Sequence, residues 1–509
     1  MPLFRPQDLH WIIPEMILTG LAFIILLLSA VWPADRRKAL GWLALAALAV
    51  TGVALIATQS GVASLPERPG GFPIQGGFPS FLADGFSLFF KAVILVAAAL
   101  TILMSLRYLD WERSQAGEFY AMLLLAVVGM MFMASGTDFA VLYIGLELMS
   151  LAVYVLVGFI KHNRKSNEAA LKYFLLGAFS SGILLYGVSL LYGTCGSTNL
   201  LQIRQAIAQG VEQPRILLVG AILVTVGLAF KIAAVPFHMW TPDAYEGAPT
   251  AVTGFMATAV KTAAFAMALR VFVEGFIDLR ADWVWLAALL AVASMTLGNV
   301  AAILQDNVKR MLAYSSIAHA GYILMGLVAV GAAGAETAPR VRGLDAAQFG
   351  LVAAALYLLV YTFTTLGAFG LVVMLRREGV VGDRIEDFSG LARRSPLAAF
   401  AMLVFMLSLA GIPCTAGFIG KWWLFGAAVR AHYGWLAVVA VINSAVSLYY
   451  YVRLVVQMYM GAPAGEETYA VSPALAAALA ACLGATLVIG VYPDPFIMLA
   501  RTALLPGLP

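Results

Sequence analysis

Charge is scarce in this 509-residue chain: only 11% of its residues are Asp, Glu, Lys or Arg, against about a quarter in an average soluble domain. That shortage excludes an ordinary soluble globular fold, because too few residues can face water. The net charge of +4 is small for this length and excludes nucleic acid as a partner. Cysteine is scarcer still. Cys195, Cys414 and Cys482 lie far apart, with no CxxC or Cys/His cluster, so no zinc or iron–sulfur site, and no other metal site, is expected in the chain. A small-residue signal-cleavage site is also not evident near the start. A single basic residue, Arg5, precedes an apolar run containing Glu15, which predicts a retained first span.

What the chain has in abundance is apolar surface, with 62% hydrophobic residues and a mean hydropathy of +0.91. Apolar runs of about 20 residues have the length of membrane spans. Their spacing predicts an all-α integral membrane protein of about 14 transmembrane helices. These are expected at 12–32, 39–59, 83–106, 118–135, 138–160, 169–193, 216–238, 250–273, 282–304, 311–332, 347–375, 397–428, 433–459 and 472–492. The Gly/Pro-rich stretch 60–82 and the charged stretch 376–396 read as connecting loops, and 199–210 as a short interfacial helix. An even number of spans puts both termini on one side. With the termini outside, the inner loops carry fifteen basic residues, in 36–38, 107–113, 161–165, 309–310 and 376–394. The outer segments carry nine: Arg5, Arg68, Arg204, Arg215, Arg280, Arg340, Arg342, Arg430 and Arg501. The positive-inside rule therefore places both termini on the outer face of the membrane.

Seven basic residues remain, and all fall within or near spans. A lysine at a helix centre costs roughly 2.5–3.5 kcal/mol on insertion scales. Lys231 stands about nine residues from Trp240 and farther from the other end of its span, well over 10 Å from either end at about 1.5 Å per residue, too deep for snorkelling alone. Lys261 in ATAVKTAAFA and Lys421 in GFIGKWWLF are equally central. Lys91, Arg270 and Arg453 lie nearer span ends, where snorkelling or headgroup anchoring is expected. Lys172 follows Glu168 by four residues, the favourable order for a helical ion pair, near the inner surface where it can feed a relay.

The central carboxylate is Glu147, in YIGLELMSLAVY. Tyr143, Ser150 and Tyr154 share its helical stripe. Lys231 is its natural partner on a neighbouring helix. At about 6 Å and an effective dielectric near 20 the two interact by about 2.8 kcal/mol. An ammonium removed from water holds its proton less tightly, and a nearby carboxylate opposes that, so a movable counter-charge makes a proton switch. In YSSIAHAGY, His319 has Ser315, Ser316 and Tyr322 within helical reach and can relay protons by tautomer exchange. Further polar seams run through Tyr361, Thr362, Thr364 and Thr365, then Asn443, Ser444, Ser447, Tyr450 and Tyr451. They suit either a water file between His319 and Lys421 or interhelical hydrogen bonds.

Two spans carry breaks. Pro236 removes a donor and clashes with the preceding turn, so the Lys231 helix is expected to kink or open there. AGIPCTAGFIG, with Pro413, does the same before Lys421. Broken helices in corresponding positions are the sequence pointer to an inverted repeat with an ion path at its core. Spans 4–8 and 9–13 form two such five-helix repeats, with broken helices 7 and 12. The expected division is 1–117 (helices 1–3), 118–276 (first repeat), 277–460 (second repeat) and 461–509 (helix 14).

The blocks NEAALKYFLLGAFSSGILLYG (167–187), PFHMWTPDAYEGAPTAVTGF (236–255), VKRMLAYSSIAHAGY (308–322) and GIPCTAGFIGKWWLF (411–425) resemble the antiporter-like membrane subunits of respiratory complex I, the NADH:quinone oxidoreductase. The resemblance runs over nearly the whole chain. One member of that family usually carries a long C-terminal extension, and another usually has glutamate where this chain has Lys421. This sequence fits neither pattern. The resemblance implies proton translocation coupled to quinone reduction, with Glu147, Lys231, Lys261 and Lys421 as channel residues and His319 as connector. It also implies no cofactor in this chain: NADH, flavin, iron–sulfur clusters and quinone belong to other membrane or peripheral subunits, its partners. The expected surroundings are the lipid bilayer, protons and internal water. A subunit of a cation/proton antiporter or membrane-bound hydrogenase fits the same lysines, and a non-conducting scaffold fits the hydrophobicity alone.

Overall fold

Polar residues at the span edges set where the helices begin. Asp138, Asn163, Asn199, Asn307 and Ser472 each accept a backbone N–H of the helix they precede, and Asp345 forms a capping box with Gln348, so otherwise orphaned donors are satisfied. Proline opens several others, where its missing N–H is harmless. The structure, a computed structural model, describes residues 6–33, 36–60, 76–78, 80–111, 116–333, 340–376, 382–462, 471–505 and 508.

A 3₁₀ turn, Pro6–Ile12, leads into α1 (Ile13–Val31). Then come α2 (Ala39–Ser60), a small antiparallel hairpin of β1 (Gly76–Phe78) and β2 (Phe81–Ala83), and α3 (Gly85–Trp111). The first block of spans continues with α4 (Ala116–Ser135), α5 (Phe139–Val157), α6 (Arg164–Cys195), the short α7 (Leu200–Gln209), α8 (Pro214–Lys231) and α9 (Trp240–Gly247). Next is one long span, Thr250–Gly275, made of α10 (Thr250–Phe255) and α11 (Lys261–Arg270) joined and ended by π-helical turns. After it follow α12 (Arg280–Ile303), α13 (Val308–Ala332), α14 (Ala346–Leu375), α15 (Leu391–Arg394), α16 (Pro396–Ala410), α17 (Ala416–Arg430), α18 (Gly434–Met460), α19 (Pro473–Val491) and α20 (Asp494–Arg501).

The chain is thus an all-α multi-pass membrane protein. Among the described residues thirteen helices are long and apolar enough to cross a membrane, and the remaining expected span, 397–428, is split into α16 and α17. The interfacial helix expected at 199–210 is α7. The stretch read as loop 60–82 contains the β1–β2 hairpin; its residues 61–75 and 79 lie outside the described residues. So do residues 377–381 of the charged loop, and Arg5, Arg68 and Arg113 among the counted charges.

Three spans, Thr250–Gly275, α13 and α14, are buried along nearly their whole length, while α1, α6, α18 and α19 keep much of their surface open. The inner three are therefore wrapped by the others, and they carry Lys261, His319 and a tyrosine, Tyr357. Close approach depends on facing glycines. A Cβ on Gly187 of α6 would fall 2.8 Å from the Gly220 carbonyl of α8, and one on Gly326 of α13 would fall 2.9 Å from the Gly350 carbonyl of α14. Small residues let helices pack without a hydrophobic drive between them.

Two charges expected to snorkel do not. Lys91 is 1% exposed and pairs with Glu15 at 2.6 Å. Arg270 is fully buried, binding both Asp84 oxygens at 2.9 and 3.0 Å, Glu274 at 2.8 Å and the Ala134 carbonyl at 3.0 Å. Position along the sequence misled because neighbouring α1 and the Asp84 turn supply carboxylates at that depth. Arg453 does reach an edge, binding Asp306 at 2.5 Å. Arg270→Met leaves the buried Asp84 and the half-buried Glu274 without their cation and is expected to destabilise the fold by roughly 3–5 kcal/mol. Denaturant titration of the detergent-solubilised chain by circular dichroism checks this; an unchanged midpoint contradicts it.

Candidate functional site

The first break lies before the proline that was expected to cause it. α8 ends at Lys231, the turn carries Ala233 at φ +61°, and α9 starts only at Trp240. The groups freed by the opening find partners in protein, as membrane-depth backbone must. Trp240 Nε1 donates to the Phe230 carbonyl at 3.0 Å, and the Val235 N–H donates to Ser294 Oγ at 2.9 Å. Lys231 thereby sits in the last turn of α8, where the helix dipole favours a cation. Its Nζ donates to Ser150 Oγ at 2.6 Å and lies 5.5 and 5.7 Å from the ring centres of Tyr154 and Tyr173.

Glu147 does not touch Lys231 directly. Its Oε1 accepts from Ser181 of α6, and Ser150, one turn along α5, holds the lysine. The carboxylate acts on Lys231 through its field, the arrangement in which a serine rotation or a side-chain swing changes the coupling. Tyr143, also on the stripe, is only partly buried.

Lys261 opens α11 directly after the π-helical turn Met256–Val260. Such turns are local irregularities frequent at functional sites, and nothing in ATAVKTAAFA announced one. Nζ donates to the Ser316 carbonyl at 2.6 Å and to Ser316 Oγ at 3.1 Å. Three residues on, His319 is 2% exposed. Its partners are not those expected from helical spacing. Nδ1 meets Tyr357 Oη at 2.5 Å, and Nε2 meets Tyr451 Oη at 3.0 Å. Ser315 reaches Tyr451 at 2.5 Å and not the imidazole. Tyr322 stands edge-on to the ring, and its hydroxyl accepts from Asn299. Side chains across the bundle displace same-helix neighbours because α14 and α18 pack on the histidine face. Tyr357 was missed, although it lies one turn before Tyr361 in the same seam.

The second break is α16–α17. Gly411 takes φ +89° at the end of α16, and Cys414, beside Pro413, takes φ +66°. A Cβ on Gly417 would overlap the Ser408 carbonyl, so glycine is needed where the half-helices meet. Lys421 Nζ turns back to the Ala410 carbonyl at 2.9 Å and to Ser444 Oγ at 2.8 Å, and lies 5.0 Å from the Tyr322 ring centre. Lys231 therefore precedes its break and Lys421 follows its own. Asn443 and Ser447 belong to the same α18 seam. Asn443 bonds Asn299 and Val439, and Ser447 donates to the Ser444 carbonyl at 2.6 Å. Lys261 and Lys421 both exert their charge on His319.

Residues 136–447, which enclose all of these side chains, match the family described as NADH:quinone oxidoreductase/Mrp antiporter, TM. The chain is 46% identical over 505 residues to NADH-quinone oxidoreductase subunit N 1 of Koribacter versatilis, covering 99% of this chain and 96% of that protein. It is 43% identical to NADH-quinone oxidoreductase subunit N of Trichlorobacter lovleyi, covering 99% and 98%. The chain belongs to the NADH-quinone oxidoreductase subunit N family. A chain of respiratory complex I from Thermus thermophilus matches at 34% identity and a TM-score of 0.76, covering 96% of this chain and all of that one. A chain of the Mrp complex from Dietzia sp. matches at 23% identity and a TM-score of 0.80, covering 97% of each, a likeness of fold alone.

On this subunit N chain a charged vestibule opens beside the first break. It is a cavity of ≈ 190 Å³ lined by Lys165, Glu168, Ala169, Lys172, Asp243, Glu246, Gly247 and Arg310. Lys172 pairs with Glu168, as its spacing indicated, and also with Asp243, both at 2.8 Å. Arg310 bridges Asp243 at 2.7 Å and Glu246 at 3.0 Å. Asp243, Glu246 and Arg310 went unmarked in the sequence, although the acidic pair stands out in WTPDAYEGAP. Burial pushes the Asp243 carboxyl up, but hydrogen bonds and charge from Lys172 and Arg310 outweigh that and hold it below the usual carboxylate range. Glu246 is likewise lowered, against its burial, by Lys165 and Arg310. A depressed carboxylate lends stability at and above its ordinary range, and that stability is lost as pH falls through the depressed value. Infrared titration of the carboxylic C=O band, assigned with Asp243→Asn, is expected to show Asp243 protonating below the usual range of about 4. Arg310→Met should raise that midpoint; no change contradicts the assignment.

Proposed function

We propose that this chain is the proton-translocating membrane subunit of an NADH-quinone oxidoreductase, moving protons through its buried Glu/Lys/His relay as quinone is reduced in partner subunits. One contrast carries the reading. Lys91 and Arg270, buried among the spans, are matched to carboxylates, while the buried Lys309 at the helix edge closes the α9 turn by binding the Glu246 and Ala248 carbonyls. Lys231, Lys261 and Lys421 are equally buried, yet their hydrogen-bond partners among the described residues are hydroxyls and carbonyls. A cation held by neutral groups at membrane depth is expensive as a staple and suited to gaining and losing a proton.

The relay runs over Glu147 and Lys231, Lys261 with Ser316, His319 with Tyr357 and Tyr451, and Lys421 with Ser444. Glu168 and Lys172 stand at its intake. The names of the curated relatives and the solved complex I chain support the same assignment. Flavin, iron–sulfur clusters and quinone are assigned to partner subunits, the neighbouring antiporter-like and small membrane subunits among them. The chain itself carries no redox chemistry. The two repeats, 118–276 and 277–460, hold one broken span each. The protein lies in a bacterial inner membrane with both termini on the periplasmic side.

Lys231→Met in the assembled complex is expected to lower quinone-coupled proton pumping into closed vesicles at least about a hundredfold, the lower end of the range for loss of a positioned proton carrier. Normal pumping by a fully assembled variant removes Lys231 from the relay. A scaffold role instead predicts poor assembly with proton transfer intact. For the topology, single cysteines replacing Arg36 and Arg342 should react with an impermeant maleimide only from the inner and only from the outer face, respectively. The reverse pattern inverts the orientation.

A further inference from the structure

Three tyrosines between the vestibule and the lysines have a property that neither packing nor the relay explains. Tyr154 on α5, Tyr173 on α6 and Tyr245 on α9 are 7%, 0% and 0% exposed, and none of their hydroxyls closes a hydrogen bond, although that of Tyr154 faces Ser150. Buried polar groups are almost always bonded, so each exception calls for a reason, and three occur together here. The Tyr154 and Tyr173 rings meet edge-on at 4.6 Å, Tyr173 stacks on Trp240 at 4.3 Å, and Trp240 lies 6.2 Å from Tyr245.

Their placement links two regions already described. Tyr173 directly follows Lys172, and Tyr245 stands between Asp243 and Glu246, all vestibule residues. At the other side, Lys231 Nζ lies against the rings of Tyr154 and Tyr173. Tyr245 faces Ser316 without closing a hydrogen bond, and Ser316 Oγ holds Lys261 at 3.1 Å. Space is also kept for one of these hydroxyls. A Cβ on Gly177 of α6 would fall 1.9 Å from Tyr154 Oη.

We propose that the hydroxyls of Tyr154, Tyr173 and Tyr245, bridged by internal water, form the proton-conducting link from the charged vestibule to Lys231 and Lys261. This rests on the relay reading and names the residues that feed it. At each step an oxygen accepts a proton on one side and releases its own hydrogen on the other, so O–H bonds form and break in equal number. The proton enters from a hydronium ion in the vestibule, which becomes water, and arrives on a neutral Lys231 amine, which becomes an ammonium. No tyrosine ends charged, and hydroxyl rotation resets the file. Bridging waters of this kind hold hydrogen bonds nearly as good as direct ones.

The test uses the complete complex in closed vesicles, with Tyr173→Phe, Tyr154→Phe and the triple Phe variant. Phenylalanine keeps the rings and the stacking and removes only the hydroxyls. Tyr173→Phe is expected to slow coupled pumping about fivefold or more and to change its solvent deuterium isotope effect, with quinone reduction in uncoupled membranes retained. Unchanged pumping in the triple variant, with Lys231→Met still inactive, overturns the tyrosine link and leaves the relay standing. Unchanged pumping in both overturns the relay itself. Should the Phe variants fail to assemble, difluorotyrosine at position 173 keeps shape and hydroxyl but acidifies it. The pH profile of pumping should then move to lower pH, and an unmoved profile overturns the link.

Discussion

Everything in this bundle turns on how an ammonium group is kept at membrane depth without a carboxylate against it. The solution uses backbone. Lys421 bonds the carbonyl that the end of α16 leaves open, Lys261 bonds the carbonyl of Ser316, and Lys231 occupies the negative end of α8. For Lys231 and Lys421 the broken helices are therefore the means of solvating the ammonium, whereas Lys261 takes a second bond to a carbonyl of the continuous α13. The breaks in turn need Trp240, Ser294 and Gly417 to satisfy or clear the exposed backbone. Membrane-depth irregularity of this kind is stable only inside protein, and Lys231, Lys261 and Lys421 are accordingly all buried.

Neutral solvation also divides the buried charges into two kinds. The Asp84–Arg270–Glu274 cluster and the Glu15–Lys91 pair have opposite charges in contact. Removing a proton from either cation would strand a carboxylate, so these groups fix α1, α3 and the Thr250–Gly275 span relative to one another. Lys231, Lys261 and Lys421 have only hydrogen bonds to neutral oxygens to lose on deprotonation. Glu147, held off by Ser181 and Ser150, can bias Lys231 without trapping its proton. His319, clamped at both nitrogens by tyrosine hydroxyls, has a donor or acceptor on each side whichever tautomer it adopts.

Much of this was legible in the sequence. Apolar runs set the spans within a few residues, because the bilayer fixes helix length. Lysines in the middle of such runs marked the costly positions directly, and Pro413 with its glycines marked the second break. Partner identity was not legible. His319 binds Tyr357 and Tyr451 instead of its own helical neighbours, and Lys91 and Arg270 find carboxylates that charge spacing alone does not reveal. The π-helical turns flanking α11 left no trace in composition, since no proline lies within them to mark the irregularity.

The sequence by itself determined that this protein lies in a membrane as many helices, that three lysines, a glutamate and a histidine sit deep within it, and that two helices open. Those outcomes follow from hydrophobicity, charge cost and missing backbone donors, all local properties of the chain. Only the tertiary structure decided which deep charges are paired and which are held by neutral oxygens. It also decided that a charged vestibule meets the first break, and that three unbonded tyrosine hydroxyls lie between vestibule and lysine. Those outcomes depend on residues tens to hundreds of positions apart meeting across helix faces, and helical periodicity says which face a residue occupies but not which helix it meets.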